Sequence, residues 1–410
     1  MTQFSELPIS AQMKERLSAA KFSVMTPVQA ASLPHALAGK DVLATAQTGT
    51  GKTLAFLIPV MEKLATVSTP GVAALVLVPT RELAMQVAKV YDDLRGKKFP
   101  PAALVVGGLS EGPQLTAIRR GARLIVATPG RLEDFIDRRL VNFNALSILV
   151  LDEADRMLDM GFLPAIKRIV QVLPTDRHTM CFSATLPASV TQLVNKYMRT
   201  PVRVAVGSTL KPSESVRMQA FEVTNERKPE VLARLLNAES GRCLIFVRTK
   251  HGTERLARRL AKEGFAAAMI HGDRSQGQRS AALAGFQHGR FQVLVATDVA
   301  SRGIHVEKIA HVINYDLPAV AEDFIHRVGR TGRAGGTGLA STLFGREQRS
   351  ELREIERTLG IRIERRNPET HFAEQEEGAS QREPSLTSND FEPSKARMVC
   401  LPGEMLQMQT

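Results

Sequence analysis

A phosphate-loop pattern close to the N-terminus constrains the fold of this chain more than any other feature. Residues 46–53 fit the pattern G-x-x-x-x-G-K-[ST], with alanine in place of the first glycine. Asp41 to Ala44 reads as a short buried strand before the loop, and Lys52 to Leu64 carries apolar residues at helical spacing after it. The pattern therefore predicts a loop between a strand and a helix, where backbone N–H groups and the helix N-terminus bind phosphate.

The loop predicts a site for ATP and Mg²⁺. Its residues are Ala46, Gln47, Thr48, Gly49, Thr50, Gly51, Lys52 and Thr53. Lys52 is placed to reach the outer phosphates, and the Thr53 hydroxyl is placed to bind Mg²⁺. A surface turn rich in glycine and threonine is the alternative, and the flanking strand and helix argue against it. Pro59 lies inside the predicted helix and is expected to kink it, because proline lacks the N–H donor.

Short apolar runs alternate with helical stretches from Val72 onward. The runs are 73–78, 104–106, 124–127, 148–151 and 180–182. This alternation is typical of an α/β fold in which a parallel sheet is covered by helices on both faces. Whatever follows each run lies at the carboxyl end of a strand, which is the edge where open α/β sheets bind ligands.

Polar residues and glycines collect at this predicted edge. They are Pro79, Thr80, Arg81, Gly107, Gly108, Thr128, Pro129, Gly130, Arg131, Ser183 and Thr185. Taken singly, Thr80 and Thr128 are better explained as helix caps, and the glycine pair as a turn. Their concentration at one edge favours a binding site.

Two carboxylates directly follow the run Ile148 to Leu151. A central strand would deliver Asp152 and Glu153 to the edge that holds the phosphate loop. Asp152 is placed to hold Mg²⁺ through water, and Glu153 to deprotonate the water that attacks the γ-phosphate. The alternative is an acidic helix N-terminus, which is stable in its own right.

The alternation breaks between Tyr197 and Val216 and then resumes. The later runs are 243–247, 266–270, 293–296, 312–315 and 339–343. We therefore predict a first domain over residues 1–205, a linker over 206–216, a second parallel-sheet domain over 217–366 and a tail over 367–410. The second domain has no lysine-bearing phosphate loop. Its best candidate for a role in catalysis is the segment from His326 to Arg333, whose arginines are suited to stabilise the charge of phosphoryl transfer; a basic surface loop is the alternative.

The charge distribution separates the tail from the body of the chain. The formal net charge is +12, which favours a polyanionic partner such as nucleic acid. Residues 367–410 contain eight acidic and three basic residues, a net charge of −5, so the rest of the chain carries +17. The tail is rich in Ser, Pro, Gln and Glu and is predicted to be mostly disordered.

Cysteine usage and hydropathy place the protein in the cytoplasm. Cys181, Cys243 and Cys400 are odd in number and lack C-x-x-C spacing, which argues against a disulfide framework and a zinc site. The N-terminus lacks the layout of a signal peptide, and the apolar runs are far shorter than the roughly 20 residues that span a bilayer. No heptad or repeat signal is visible beyond the paired domains, so the sequence leaves the oligomeric state open, and a monomer is the working expectation.

The chain resembles the DEAD-box ATP-dependent RNA helicases of helicase superfamily 2, with a lean toward the bacterial RhlE-like branch. The resemblance covers residues 1–366 and rests on motifs in the family's order: Gln29, 46–53, 79–84, 128–131, 152–155, 183–185, 296–303 and 326–333. It implies two tandem RecA-like domains that bind ATP and RNA between them. It also implies RNA-stimulated ATP hydrolysis that separates short RNA duplexes locally and remodels RNA or RNA–protein complexes.

The resemblance assigns roles to individual residues. Phe22 and Gln29 would contact adenine, in agreement with the paired donor and acceptor of a glutamine amide. Arg330 and Arg333 would be arginine fingers, while Ser183 and Thr185 would couple the ATP and RNA sites. Residues that would line the RNA path are Thr80, Arg81, Gly108, Thr128, Arg131, Thr297 and Gly303.

Two departures from the family pattern and two alternative functions stay open. His305 stands where the family usually has an aspartate associated with the ribose, so we expect weaker ATP binding than in a His305→Asp variant. The acidic tail replaces the basic extension of many RhlE-like proteins. An ATP-dependent RNA clamp is one alternative, which Glu153, Arg330 and Arg333 argue against. A DNA-directed motor is the other, for which Gln29 and the Asp-Glu-Ala-Asp sequence are poor evidence.

Overall fold

The computed structural model describes residues 2–46, 49–97, 99–206, 215–298, 306, 309–332 and 336–372. Within these residues the chain forms two seven-stranded sheets, one in each half, and their strands pair in parallel. The α/β prediction of two parallel-sheet domains is confirmed. No helix in the described ranges is long and apolar enough to cross a membrane.

The first half alternates strands and helices. Its elements are α1 (Ala11–Ala19), α2 (Pro27–Leu37), β1 (Val42–Thr45), α3 (Lys52–Thr66), β2 (Ala74–Leu77), α4 (Arg81–Arg95), β3 (Ala103–Val105), α5 (Glu111–Arg119), β4 (Leu124–Ala127), α6 (Pro129–Asp137), β5 (Ile148–Leu151), α7 (Ala154–Asp159), α8 (Leu163–Val172), β6 (His178–Ser183), α9 (Ala188–Tyr197) and β7 (Val202–Ala205). The strand order is β3-β4-β2-β5-β6-β1-β7. Because β5 and β1 flank β6, the residues after these three strands meet at one edge.

The second half repeats this plan. Its elements are β8 (Val216–Glu222), α10 (Lys228–Ala238), β9 (Arg242–Phe246), α11 (Lys250–Lys262), β10 (Ala267–Ile270), α12 (Gln276–Gln287), β11 (Val293–Ala296), β12 (Ile309–Asn314), α13 (Ala321–Val328), β13 (Gly338–Phe344), α14 (Arg349–Leu359) and β14 (Glu364–Arg366). The strand order is β10-β11-β9-β12-β13-β8-β14.

Strand pleating divides the core of the first half into two layers. In β2, Ala74 and Val76 pack with the helices on one face, while Leu75 and Leu77 pack with those on the other. Alternate side chains of a strand point to opposite faces, and here both faces are buried. This explains why the central strands read as continuous apolar runs.

Some local expectations were wrong, each for an identifiable reason. Helix α1 begins only at Ala11, because the Ser10 hydroxyl accepts a hydrogen bond from Met13 N and caps the helix there. Strands β7, β8 and β14 were missed because their arginines, glutamates and glutamine interrupt the apolar runs. Pro59 lies inside α3, which continues to Thr66.

The second half extends past the boundary predicted at residue 366. Phe372 is 3% exposed and stacks on Phe221 of β8, with 6.2 Å between the ring centroids. The guanidinium of Arg234 also lies over the Phe372 ring, 5.1 Å from its centroid. Burial of an aromatic ring fixes the chain here, so the disordered tail predicted from 367 starts at least six residues too early. The predicted linker falls mostly on 207–214, outside the described residues.

Candidate active site

The phosphate loop follows β1, as predicted. Ala46 N donates to Ser183 O at 3.0 Å, which ties the base of the loop to the end of β6. Lys52 is 6% exposed, and its ammonium donates to Ala46 O at 3.0 Å. Gly51 has a φ of 94°, in the left-handed region that favours glycine. Gln47 and Thr48 lie outside the described residues, while Gly49, Thr50 and Thr53 complete the described part of the loop.

Gln29 lies directly against this loop. Its side-chain carbonyl accepts from Thr26 N at 2.8 Å, completing a capping box at the start of α2. Its amide donates to Gly51 O at 2.9 Å. A Cβ on Gly51 would lie 2.5 Å from this amide nitrogen, so glycine is required for the approach. Gln29 therefore connects the N-terminal segment to the phosphate loop, and both groups predicted to read adenine are engaged in this structure.

Phe22 occupies a different place from the one that its predicted role implies. It is 40% exposed and lines a surface cavity between α1 and α4. Arg16, Val90 and Leu94 also line this cavity, and no described residue of the phosphate loop does. The contact of Phe22 with adenine stays a prediction.

Asp152 and Glu153 are delivered by β5, as predicted. Both are buried, at 3% and 4% exposure, and Asp152 Oδ1 accepts from Glu153 N at 3.0 Å. Burial raises the pKa of Asp152 to about 7; nearby Lys52 opposes this shift and the charge of Glu153 adds to it. Glu153 has a φ of 52° and a ψ of 51°, left-handed values that are unfavourable for a residue with a side chain. Such backbone strain is concentrated at functional sites.

Arg156 is a neighbour of Glu153 to which sequence reasoning assigned no role. Its Nε lies 3.9 Å from Glu153 Oε2, and both side chains are at most 5% exposed. Arg156 Nη2 and Glu153 Oε2 have no hydrogen-bond partner among the described residues. The i, i+3 spacing on α7 was a usable signal, because it places the two residues on one face of the helix.

Asp155 joins the acidic motif to Ser183 and Thr185. Its Oδ2 accepts from Ala184 N at 3.0 Å, from Thr185 N at 2.7 Å and from the Thr185 hydroxyl at 2.9 Å. The Ser183 hydroxyl accepts from Asp155 N at 3.2 Å and donates to Thr185 O at 2.7 Å. All three side chains are buried, so a displacement of the acidic motif is transmitted to β6.

The predicted Mg²⁺ ligands fit a hard cation. Asp152 supplies a carboxylate whose pKa is raised chiefly by burial, and Thr53 lies in the first turn of α3 beside Lys52. Clusters of three or more His, Cys, Asp or Glu side chains that could hold a metal by themselves do not occur in the described ranges. A metal here would therefore depend on phosphate oxygens and water for its remaining ligands.

Several of the predicted RNA contacts lie together in the first half. The guanidinium of Arg81 lies over Gly108, where a Cβ would come within 1.9 Å of Nη1, and close to Gly107. Burial lowers the pKa of Arg81, and the positive charges of Arg279 and Arg131 lower it further against the opposing charge of Glu82. Three arginines therefore share one region, which an RNA phosphate would stabilise.

The remaining predicted contacts in this half have local structural roles as well. The Thr80 hydroxyl accepts from Leu83 N at 3.3 Å and caps α4. Thr128 and Pro129 are buried at the start of α6, with no side-chain cap from Thr128. Pro79 is buried before α4, whereas Gly130 is exposed with open space around it.

A contact between the two halves lies beside Arg81 and was not predicted. Arg279 Nη2 approaches Glu82 Oε1 at 2.9 Å, and Gln276 Nε2 donates to the same oxygen at 3.2 Å. Arg81 Nη1 donates to Gln276 Oε1 at 3.4 Å. The spacing of Gln276 and Arg279 on α12 puts them on one helix face, but nothing in the sequence identifies Glu82 as their partner.

The segment from His326 to Arg333 lies at the end of α13. Arg330 is 3% exposed and its Nε donates to His326 O at 3.2 Å. Arg327 forms a bidentate pair with Asp298 at 2.6 Å and lies over the Phe246 ring. Because Asp298 follows Thr297, which is 8% exposed, this pair links the two motifs of the second half. Gly303, His305 and Arg333 lie outside the described residues.

Comparisons with known proteins agree with this arrangement. Residues 26–193 match the DEAD/DEAH box helicase family, and residues 227–335 match the helicase conserved C-terminal domain. The chain is 40% identical over 367 residues to the DEAD-box ATP-dependent RNA helicase CshA of Bacillus subtilis, covering 88% of this chain and 73% of the relative.

Two solved structures resemble the whole described fold. Dbp5 of S. cerevisiae bound to RNA and ADP BeF3 matches with a TM-score of 0.83 and 29% identity, covering 93% of this chain and 99% of that one. A DEAD box protein of Methanococcus jannaschii matches with a TM-score of 0.53 and 37% identity, over 89% and 99% of the chains. Together with the motif geometry, these matches show that the chain belongs to the family of DEAD-box ATP-dependent RNA helicases.

Proposed function

We propose that this protein is an RNA-dependent ATPase that uses ATP hydrolysis to separate short RNA duplexes locally and to remodel RNA or RNA–protein complexes. The observation that carries the proposal is the junction at β6. There, Ser183 joins the phosphate loop through its backbone carbonyl and the acidic motif through its hydroxyl. The phosphate loop and the acidic motif are therefore both hydrogen-bonded to the end of β6.

On the ATP side, residues 46–53 bind the phosphates and Lys52 moves from Ala46 O to the outer phosphates. Glu153 acts as the base that deprotonates the attacking water, and its strained left-handed backbone directly after β5 supports this role. Arg330 and Arg333 supply positive charge from the second half. Thr53 and, through water, Asp152 would hold Mg²⁺, which would supply positive charge against the phosphates.

On the RNA side, the groups present suit a grip on the sugar–phosphate backbone. Arg81, Arg131, Thr80, Thr128 and Thr297 offer guanidinium and hydroxyl groups, which bind phosphates and riboses of any sequence. The chain has no tryptophan and three tyrosines, so few side chains are available for base stacking.

Closure of the two halves couples the two ligands. The TM-score is 0.83 with Dbp5 bound to RNA and ADP BeF3 but 0.53 with the Methanococcus jannaschii protein, although the second has the higher sequence identity. This difference supports an arrangement of the two halves like that of RNA-bound Dbp5, which we call closed. The Glu82–Arg279 pair can form only when the halves approach one another. ATP and RNA that both favour this arrangement strengthen one another's binding, and hydrolysis releases it.

Three finer assignments complete the proposal. The first is placement in the bacterial RhlE-like branch, toward which the motifs between Gln29 and Arg333 lean. The protein acts as a cytoplasmic monomer. Gln29 binds adenine once nucleotide displaces its present contact with Gly51.

ATPase measurements with matched nucleic acids test this proposal. A single-stranded RNA is expected to stimulate ATP hydrolysis strongly, and a DNA of the same sequence is not. Glu153→Gln is expected to bind ATP and RNA together but to release them slowly. Equal stimulation by DNA would favour a DNA-directed motor, and normal turnover by Glu153→Gln would remove Glu153 from its role as base.

A further inference from the structure

A cavity of about 470 Å³ lies at one edge of the second sheet. Its wall contains the last residues of three strands: Glu222 of β8, Phe344 of β13 and Arg366 of β14. Carboxyl ends of parallel strands are the usual place for ligands in open α/β sheets. The volume also falls within the roughly 300–1,000 Å³ of small-molecule sites.

Four arginines and one carboxylate line this cavity. Arg349 and Arg353 come from the first two turns of α14, while Arg365 and Arg366 end β14. Glu222 is the acidic residue of the lining. The lining side chains carry an excess of three positive charges; Glu356 and Glu364, which pair with Arg365 and Arg366 from outside the wall, reduce it to one, which an anion would offset.

Ion pairs hold three of these arginines in place without using all of their donors. Arg349 Nε and Nη2 donate to the two oxygens of Glu222, each at 2.7 Å. Arg365 is held by Glu356 at 2.8 Å and Arg366 by Glu364 at 2.7 Å, two carboxylates that do not line the cavity. Because a guanidinium has five N–H donors, each arginine keeps donors for a ligand.

Two donor groups in this wall are unused within the described part of the chain. Arg353 is exposed and has no ion pair or hydrogen bond to another described residue. The Nε of Arg366 is buried and has no hydrogen-bond partner there. Arg365 lies over the Phe344 ring, 5.6 Å from its centroid, which fixes the plane of its guanidinium.

The cavity is separate from the predicted RNA path. In the second half that path uses Thr297, which follows β11 on the other side of the sheet. Strands β11 and β8, the middle strand of the cavity wall, are four strand spacings apart, which at ~4.8 Å each is roughly 19 Å.

We propose that this cavity binds a small anion that carries two or more phosphate groups, independently of the ATP site. Preorganised guanidinium groups bind phosphate oxygens in pairs, which selects phosphate over a singly charged anion. Several guanidinium groups around one cavity suit a ligand with several phosphates.

Calorimetric titration of the full-length chain with inorganic tripolyphosphate tests the proposal. Saturating ADP and Mg²⁺ keep the phosphate loop occupied. One site per chain is expected, and Arg353→Glu should weaken binding by about tenfold or more. Arg357→Glu is the matched control, since Arg357 lies on the same helix but pairs with Glu354 and does not line the cavity. It should change the affinity by less than about twofold.

Three results would overturn the proposal. Absence of saturable binding would mean that the cavity has no anion site. Equal weakening by Arg353→Glu and Arg357→Glu would indicate general attraction to a basic surface. Binding seen only in a chain that ends at residue 372 would identify the acidic tail as the occupant. Circular dichroism of both variants separates loss of the site from loss of folding, and Arg353→Gln provides a milder change at the same position.

Discussion

The Glu82–Arg279 pair provides a direct test of closure. Glu82 belongs to the first half and Arg279 to the second, with 2.9 Å between Oε1 and Nη2 and side-chain exposures of 7% and 13%. Gln276 donates to the same carboxylate oxygen at 3.2 Å. The contact is therefore nearly dry in the closed arrangement, and both charges become hydrated when the halves separate.

The structure sets the size of the expected effect. Glu82→Gln keeps the side-chain shape but removes the charge that Arg279 and Gln276 contact. A hydrogen bond to a charged group contributes about 1.5–3 kcal/mol, and ~1.4 kcal/mol corresponds to a factor of ten. Because the loss applies to the closed arrangement alone, RNA binding with ATP should weaken by about 10- to 100-fold. ATP affinity without RNA should stay unchanged.

Fluorescence anisotropy of a labelled single-stranded RNA, with a non-hydrolysable ATP analogue or with ADP, measures this effect. Arg279→Gln should weaken binding similarly, and the double variant should be little worse than either single one. Lys89→Gln is the control, since Lys89 forms an exposed pair with Asp93 within α4. Additive losses in the double variant, or equal RNA affinity for Glu82→Gln and the unaltered protein, would refute the role of this contact in closure.

Three further predictions concern stability and can be measured by urea unfolding without ligands. Folding raises the pKa of Asp152 from 3.8 to about 7, so the ionised carboxylate costs stability that is absent below pH 4 and grows until pH 7. Asp152→Asn should therefore raise the free energy of unfolding by up to about 4 kcal/mol at pH 8 and by much less at pH 5. An equal gain at both pH values would contradict this. Phe372→Ala should lower the free energy of unfolding of the second half by about 3–5 kcal/mol. A chain that ends at residue 366 should lose at least as much stability, whereas a chain that ends at residue 372 should be as stable as the full-length protein. Arg156→Met should lower the free energy of unfolding by about 3 kcal/mol, because it leaves Glu153 buried without its cation. In a protein that already carries Glu153→Gln, most of this loss should disappear. An equal loss there would mean that Arg156 stabilises the fold through packing.

The central strands and the ATP motifs could be predicted from the sequence because both are local signals. Runs such as Ile148 to Leu151 are apolar throughout, since both faces of the sheet are covered. The phosphate loop and the Asp-Glu-Ala-Asp segment each occupy consecutive residues after such a run. Topology then brings them together, because β1 and β5 are both neighbours of β6.

The remaining features depend on contacts between distant residues. β14 has the sequence Glu-Arg-Arg and forms a strand because β8 offers an edge to pair with. Phe372 looked like part of a disordered tail because its partners, Phe221 and Arg234, lie far away in the sequence. The Glu82–Arg279 contact likewise joins residues 197 positions apart in chain numbering.

Single-turnover ATP cleavage by Arg330→Gln with saturating RNA tests the central claim, a catalytic site shared by the two halves. Arg330 should contribute to the transition state and little to ground-state binding, so affinities for ATP and RNA should change by no more than a few fold. Cleavage should fall by about 10³-fold or more, the contribution expected of an arginine finger. Cleavage at the unaltered rate, with both ligands bound, would contradict a site completed by the second half.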